Sequence, residues 1–360
     1  MKLGAFRLHG LLQAWVGSSV LALCLPVMAQ PVGAVQAPAA TATAAPVAAQ
    51  ERSIADWLMR MHQATSKRAF IGTFVVSSAN AMSSARIWHI CDGEQQMERV
   101  EALTGAPRTT LRRNDEVITF RPDTKTAVAE KREALGLFPN LLWSPDSSIA
   151  QFYDAKHLGS ERVAGLDADV VHLAARDGLR YGYRVWSEKK TGLVVKLQTL
   201  DTDGQVLEQA AYSELQLDAP VSMAKLTKMM GNLEGYRVAR PEMMRTTALA
   251  EGWTLKTPFA GFKPMSCYKR SVAANEASSA QSAMQWIFSD GLATVSLFAE
   301  KYERNRHTQE GSAILGATRS ITKRLTEKSA DKSTDWWLTV VGEVPGPTLT
   351  GFANALERRK

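Results

Sequence analysis

The sequence has few of the residues that most catalytic and metal sites require. Only three of its 360 residues are cysteine and six are histidine. It also lacks a phosphate-binding loop, a dinucleotide fingerprint and a nucleophile elbow. The five histidines after residue 29 lie at no metal-ligand spacing from one another or from a cysteine; they are His62, His89, His157, His172 and His307. The sequence therefore gives no positive evidence for an enzyme, and we predict no catalytic residues, no metal site and no cofactor.

Long apolar runs are absent after residue 29, so no transmembrane helix is predicted in the mature chain. The first 29 residues have the pattern of a signal peptide, because a positive segment with Lys2 and Arg7 precedes an apolar stretch. A lipobox ending in Cys24 is the alternative, but Leu23 stands where a small residue should precede the cysteine. We predict export to the periplasm with cleavage after Ala29.

Charged and aromatic residues are absent from residues 30–50, which predicts a disordered Ala/Pro-rich tether. Roughly 310 residues remain, more than one hydrophobic core usually holds. We divide them into an N-terminal domain (51–220, net charge −2), a linker (221–240, +3) and a C-terminal domain (241–360, +4). A basic surface attracts acidic partners, and export argues against nucleic acid as the partner. A merely solvated basic surface is the alternative.

Two cysteines, Cys91 and Cys267, remain once the signal peptide is removed. An even number in an oxidising compartment makes a disulfide possible. Two separate buried thiols are the alternative, since a free cysteine packs as a small apolar residue. A bridge between them would join the two predicted domains.

Short strands separated by turn residues dominate the N-terminal domain. A helix is predicted first, with Ser53 and Asp56 at capping-box spacing ahead of an apolar stripe. A second short helix is predicted around Ser222–Met230. The predicted strands follow one another in the manner of an antiparallel meander: Phe70–Ser77, Ala85–Cys91, Gln96–Leu103, Arg108–Arg113 and Glu116–Arg121.

The first of these strands is apolar on both faces, so it needs cover on both sides. Helices, the second domain or a bound apolar ligand would provide that cover. Because these strands lack a polar face, we predict an apolar lipid cavity. Burial of each acyl methylene group in it would contribute about 0.8 kcal/mol to binding. Its candidate lining residues are Phe70, Phe74, Ile87, Phe138, Leu141, Leu142 and Trp143.

Residues 176–209 form the most informative block, a predicted meander whose turns end in Gly192 and Gly204. In the C-terminal domain, Asp290-Gly291 is a hairpin turn signal between two apolar strands. A final helix is predicted from about Thr348 to Arg358.

The 176–209 block resembles the signature stretch of the RseB/MucB family, the periplasmic negative regulators of the sigma-E envelope-stress response. The resemblance extends in order over about residues 51–358. Its main segments are Phe70–Val76, Arg86–His89, Glu98–Arg108, Phe120–Asp123, Trp286–Leu292 and Val341–Pro345. The sequence departs from the family at Thr109-Thr110, where the family tends to have a carboxylate.

The resemblance implies an α+β fold: a large antiparallel, unclosed β-barrel domain with helices in its concavity, similar to lipoprotein carriers, followed by a smaller α+β domain. It implies that the protein binds the periplasmic region of a membrane-spanning anti-sigma factor and shields it from the site-1 protease. Lipopolysaccharide or mislocalised acylated lipoprotein would relieve that inhibition. A homo-oligomer is possible.

A periplasmic lipid or lipoprotein carrier is the competing function, although a carrier would need only the N-terminal domain. The charge distribution indicates that the C-terminal domain binds the anti-sigma factor and that the N-terminal domain acts as the sensor. The candidate partner-binding cluster is Arg319, Lys323, Arg324 and Lys328, for which a solvated helix is the alternative interpretation.

Overall fold

We describe the protein from a computed structural model, which covers residues 52–79, 81–131, 147–272, 281–328 and 333–359. The predicted tether and the signal peptide lie outside these residues, as do Phe138, Leu141, Leu142 and Trp143. No helix of the described residues is long and apolar enough to cross a membrane.

The first described element is a helix, α1 (Ile54–Ser66), and its start is set by the predicted capping box. The Ser53 hydroxyl accepts from the backbone N–H of Asp56, and the Asp56 carboxylate accepts from the backbone N–H of Ser53. Ile54, Trp57, Leu58 and Met61 are all buried, as their helical spacing predicts.

A twelve-stranded sheet follows α1 and makes up most of the N-terminal part. Its strands in chain order are β1 (Phe70–Ser78), β2 (Ala81–Cys91), β3 (Gln96–Ala102), β4 (Thr109–Arg113), β5 (Glu116–Arg121), β6 (Thr126–Lys131), β7 (Tyr153–Val163), β8 (Leu166–Ala175), β9 (Gly182–Glu188), β10 (Val194–Leu200), β11 (Val206–Leu217) and β12 (Arg237–Ala239). A 3-10 helix at Ser147–Gln151 precedes β7.

The strand order in this sheet is β12-β6-β5-β4-β3-β2-β1-β11-β10-β9-β8-β7. All pairings are antiparallel except that of β12 with β6. The predicted turn glycines have positive φ, +88° at Gly192 and +79° at Gly204. The β12 and β7 edges are not paired with each other, so the sheet is unclosed, as expected.

Two helices cover different parts of this sheet. The buried side chains of α1 pack with Tyr153, Val171 and Tyr183 on strands β7 to β9. Helix α2 (Met223–Gly231), capped by Ser222, packs Leu226 and Met230 against the region of β3 to β6. The segment predicted as a linker, 221–240, thus lies against the first sheet through α2 and β12.

The C-terminal part is a smaller α+β unit. Its strands are β13 (Met243–Arg245), β14 (Trp253–Leu255), β15 (Lys263–Val272), β16 (Gln281–Ser289), β17 (Thr294–Lys301), β18 (Gly311–Leu315), β19 (Thr318–Lys328), β20 (Ser333–Gly342) and β21 (Leu356–Arg358). Seven of them form one sheet in the order β13-β15-β16-β17-β20-β19-β18, and β14 pairs with β21.

Helix α3 (Gly346–Ala355) packs on this second sheet through Leu349, Phe352 and Ala353. The sequence prediction placed its end at Arg358, which is wrong: the last three residues before Arg359 form β21. Backbone pairing of Leu356 with Leu255 and of Arg358 with Trp253 replaces the final helical turn. The expected fold class, a large unclosed antiparallel domain followed by a smaller α+β domain, is confirmed.

Candidate binding surfaces and the domain junction

The two sheets meet at a buried ion pair. Arg180, just before β9, donates from Nη1 to the Asp290 Oδ2 atom at 2.8 Å, and neither side chain has exposed surface. Arg180 Nε donates to Asp177 at 3.0 Å, and Nη2 donates to the carbonyl oxygen of Ala260. Since a buried charge is costly unless paired and hydrogen-bonded, this network fixes the junction between the sheets.

The Asp290 carboxylate is the centre of that network. Its Oδ1 atom accepts from the backbone N–H groups of Leu292 and Ala293 at 2.9 and 2.7 Å, which closes the predicted Asp-Gly hairpin turn. Its Oδ2 atom also accepts from the Tyr153 hydroxyl at 3.0 Å. Burial raises the pKa of Asp290, while these donors and Arg180 oppose that shift. Burial also raises the pKa of Tyr153 well above its ordinary value.

Three further contacts join the sheets. Leu292, beyond the hairpin turn, packs in the same apolar cluster as Tyr153 and α1. Arg319 on β19 donates from Nε to the Tyr181 hydroxyl at 2.7 Å. Arg270 on β15 lies 3.4 Å from the Glu130 carboxylate on β6. The junction is therefore polar and buried at its centre, with charged contacts around it.

Two carboxylates, Glu208 and Glu343, interact electrostatically at the same junction. Glu208 on β11 lies against Gly316, and it accepts a hydrogen bond from the backbone N–H of Ala317. Glu343 follows β20. Burial raises the pKa of both groups, and the Glu208 charge raises that of Glu343 further. Ionisation of Glu343 is therefore penalised by its burial and by the Glu208 charge, whereas the hydrogen bond from Ala317 partly offsets the penalty for Glu208.

We expect the variant Glu343→Gln to be more stable than the parent protein at pH 7. A raised folded-state pKa means that the ionised Glu343 destabilises the fold above that pKa, and protonation removes this penalty as the pH falls through it. The stability difference should therefore shrink on acidification, as urea unfolding at several pH values would measure. Glu357→Gln, on β21, is the matched control. A constant difference across pH would contradict this role.

Three of the predicted lipid-cavity residues, Phe70, Phe74 and Ile87, lie within the described part of the chain, and they pack against other side chains of the protein. Phe70 and Ile87 have no exposed surface, and they pack with Ala64 and Tyr212 while Phe74 packs against that cluster. The Phe70 and Ile87 side chains therefore form packed core and not an open groove wall. Binding of a lipid at this point would require the cluster to open.

A buried polar pair that the sequence did not reveal lies beside these residues. His89 has no exposed surface, and its ring stacks on Phe70 with centroids 4.6 Å apart. The His89 Nδ1 atom lies 3.0 Å from the Glu98 carboxylate, and Nε2 lies 2.8 Å from the Thr65 carbonyl oxygen at the end of α1. The only sequence signal for the burial of His89 was the alternation of β2, which places His89 on the same face as the apolar Ile87.

The predicted basic cluster lies on a strand, so the helix interpretation is wrong. Consecutive residues of β19 point to opposite faces, which separates Lys323 from Arg324. Lys323 donates to Asn354 on α3 at 2.8 Å, and burial lowers its pKa. Arg324 is paired with Asp335 and lies over the Tyr302 ring. Lys328 ends the strand. Arg319 and Lys323 lie on one face of β19 and Arg324 lies on the other, so these three residues do not form one continuous patch.

Both cysteines are free thiols in the structure, so the possible disulfide is not formed there. Cys91 ends β2, and Cys267 is buried in the core of the second sheet. Burial and the nearby Glu251 charge raise the pKa of the Cys267 thiol to about 11. No group of metal-ligating side chains occurs among the residues that the structure describes.

We expect two thiols per mature chain, those of Cys91 and Cys267, to titrate in denaturant without reductant. In the native protein Cys267 should react far more slowly than Cys91, because it is buried and its thiolate is disfavoured. A thiol-reactive chromophore at pH 8 would measure both rates, with Cys267→Ala as the control that removes the slow phase. If neither thiol reacted in denaturant until reductant was added, the two cysteines would be bridged, and the free-thiol arrangement would be contradicted.

The structure consists of two unclosed, mainly antiparallel sheets joined through a buried junction. It is therefore a two-domain, β-rich protein, and its candidate functional sites are binding surfaces. Residues 53–230 match the family model described as "MucB/RseB N-terminal domain", and residues 247–357 match "MucB/RseB C-terminal domain". The chain belongs to the MucB/RseB family.

Curated relatives of similar length carry regulatory names. The chain is 27% identical to the "Sigma factor AlgU regulatory protein MucB" of Pseudomonas aeruginosa, over 83% of this chain and 89% of the relative. It is 22% identical to the "Sigma-E factor regulatory protein RseB" of Escherichia coli K12, over 83% and 89% of the two chains. These relatives are regulatory proteins.

Solved structures of one relative include a complex. The Pseudomonas aeruginosa MucA/MucB complex matches with a TM-score of 0.64 and 26% identity, over 85% of this chain and 99% of that one. "MucB in complex with MucA(peri)" matches with a TM-score of 0.62 and 26% identity, over 85% and 98%.

Proposed function

We propose that the protein is a periplasmic regulator that binds the periplasmic region of a membrane-spanning anti-sigma factor and shields it from site-1 proteolysis. The observation that carries this proposal is the match to both family domains over most of the chain. One similar structure, that of MucB, was solved in complex with MucA(peri), which supports the proposal. In this proposal the signal peptide is cleaved after Ala29, and lipopolysaccharide or mislocalised acylated lipoprotein relieves the inhibition.

The division of labour follows the predicted domains. Residues 51–220 act as the sensor, 221–240 connect, and 241–360 bind the anti-sigma factor. The net positive charge of the last two segments supports this assignment. If ligand and anti-sigma factor oppose each other from different domains, each must weaken the binding of the other by the same factor. The buried junction around Arg180 and Asp290 is the element that can carry such coupling.

The test is binding of the mature protein, beginning at Gln30, to the periplasmic region of an anti-sigma factor from the same cell. We expect saturable, stoichiometric binding that weakens with salt, and slower cleavage of the bound segment by the site-1 protease. Lys323→Glu should weaken binding, while Lys156→Glu, at an exposed position of β7 in the N-terminal domain, is the matched control. Absence of stoichiometric binding, with acylated cargo retained on the purified protein, would favour the carrier function instead.

A further inference from the structure

Strand β18 is an open edge of the second sheet. It pairs with β19 on one side, and no other described strand pairs with it on the other side. All five of its residues, Gly311–Leu315, are exposed, and the exposed fractions of Ile314 and Leu315 are 62% and 71%. An open strand edge offers a row of unpaired N–H and C=O groups, to which another extended chain can bind.

The other three edges of the two large sheets carry features that block such pairing, namely charged side chains, a bulge or a very short strand. Strand β7 contains Lys156, Glu161 and Arg162, and it has a bulge between His157 and Gly159. Strands β12 and β13 are each three residues long and each contains an arginine. Strand β18 has no charged residue, no proline and no shift in its register with β19. Among the described edges of these sheets, β18 is therefore the one that stays open to pairing.

The hairpin geometry shows which backbone groups of β18 are free. Leu315 pairs with Thr318 across a two-residue turn, so these two residues form the hydrogen-bonded pair that closes the hairpin. Along an antiparallel ladder, pairs that exchange hydrogen bonds alternate with pairs that do not. The N–H and C=O groups of Ser312 and Ile314 therefore point away from β19, to the open edge. An extended peptide segment presents backbone groups at the matching spacing.

The sheet face next to this edge is positively charged. Arg319 and Lys323 lie on one face of β19, the strand beside β18. Arg319 donates to the Tyr181 hydroxyl, which is neutral. Lys323 donates to the neutral Asn354 side chain, and among the described residues Glu310 is the only carboxylate whose charge acts on it. The remaining positive charge favours an acidic segment over a second copy of this chain, because a second copy would add two more cations to the same sheet.

We propose that a strand from the periplasmic region of the anti-sigma factor extends the second sheet at β18. This inference rests on the proposed function and names how the partner binds. Backbone hydrogen bonds to Ser312 and Ile314 hold the segment, and its side chains alternate between the two faces of the sheet. An apolar side chain of the segment packs on Ile314, and its carboxylates lie near Arg319 and Lys323. The segment is thus extended, apolar at alternate positions and negatively charged.

Ser312→Pro tests the backbone pairing directly. Proline removes the outward N–H group of residue 312 without removing a hydrogen bond to β19, and edge strands tolerate it. The labelled periplasmic region should bind this variant of the mature protein about tenfold or more weakly than it binds the parent, as measured by fluorescence anisotropy. Ser312→Ala keeps the N–H group and is the matched control, which should bind as the parent does. Urea unfolding checks that both variants are folded. Equal binding by Ser312→Pro and the parent would overturn this proposal and leave the proposed function intact.

Amide hydrogen exchange of the parent protein gives a second measurement that depends on no variant. The N–H groups of Ser312 and Ile314 should exchange about tenfold or more slowly in the complex than in the free protein. Unchanged exchange at both positions in a saturated complex would overturn the pairing, again without touching the proposed function. Slow exchange in the free protein that is lost on dilution would assign the edge to a second copy and would also overturn the proposal. If the parent does not bind the periplasmic region at all, the proposed function fails and this proposal fails with it.

Discussion

Replacement of Arg180 by methionine is expected to lower the free energy of unfolding by about 3–5 kcal/mol. The variant leaves Asp290 buried without its ion-pair partner, although the N–H groups of Leu292 and Ala293 still bond it. It also removes the stacking of the guanidinium on Phe152, at 4.4 Å from the ring centroid. Urea unfolding gives the free energy, and limited proteolysis reports whether the junction has opened.

Arg176→Met is the matched control for this change. Arg176 is also paired with an aspartate, Asp154, but both side chains are about half exposed. An exposed pair contributes at most about 1 kcal/mol. The double variant Arg180→Met/Asp290→Asn should recover part of the loss, since no unpaired charge then stays buried. Equal losses for the two arginine variants would show that the junction does not depend on the buried pair.

A loss of about 2–6 kcal/mol is also expected for His89→Leu, because each of two buried acceptors loses a hydrogen bond at a cost of about 1–3 kcal/mol. Leucine keeps the apolar contact with Phe70, but it leaves the Glu98 carboxylate and the Thr65 carbonyl oxygen without the hydrogen bonds that His89 makes. The loss should appear in urea unfolding of the full chain. This result would establish that the region predicted as a lipid cavity is stabilised as closed core.

His157→Leu is the control, because His157 is partly exposed and its distance to Asp169 is 3.4 Å. We expect it to cost less than about 1 kcal/mol. A second variant, His89→Leu/Glu98→Met, should restore part of the stability by removing the buried carboxylate. If His89→Leu were as stable as the parent protein, the polar pair would have no structural role.

Local signals predicted most of the elements. These signals involve only residues that are close in the sequence, so the sequence shows them directly. Examples are the capping box at Ser53 and Asp56, the turn glycines and the Asp290-Gly291 turn. Strand β19 was missed because its alternation is weak: Lys323 and Arg324 are adjacent charges, and the edge strand β18 is exposed throughout. Pairing with β20 overrides that local ambiguity.

The candidate sites were harder to predict than the fold. Arg180 and Asp290 are 110 residues apart, and nothing in their local patterns shows that they meet. Apolar character alone predicted that Phe70 and Ile87 lie beneath a covering element, but it did not distinguish a bound lipid from the protein's own helix.

The pairing of β14 with β21 has a consequence for biosynthesis. Trp253 pairs with Arg358, whose guanidinium also lies over the Trp253 and Trp336 rings. The C-terminal unit can therefore close only once β21 is available to pair with β14. The pairing of β1 with β11, by contrast, is complete by residue 217. Since N-terminal domains generally fold first, the first sheet can form while the C-terminal unit still lacks its final strand, and a truncation that removes only β21 should arrest only the later step.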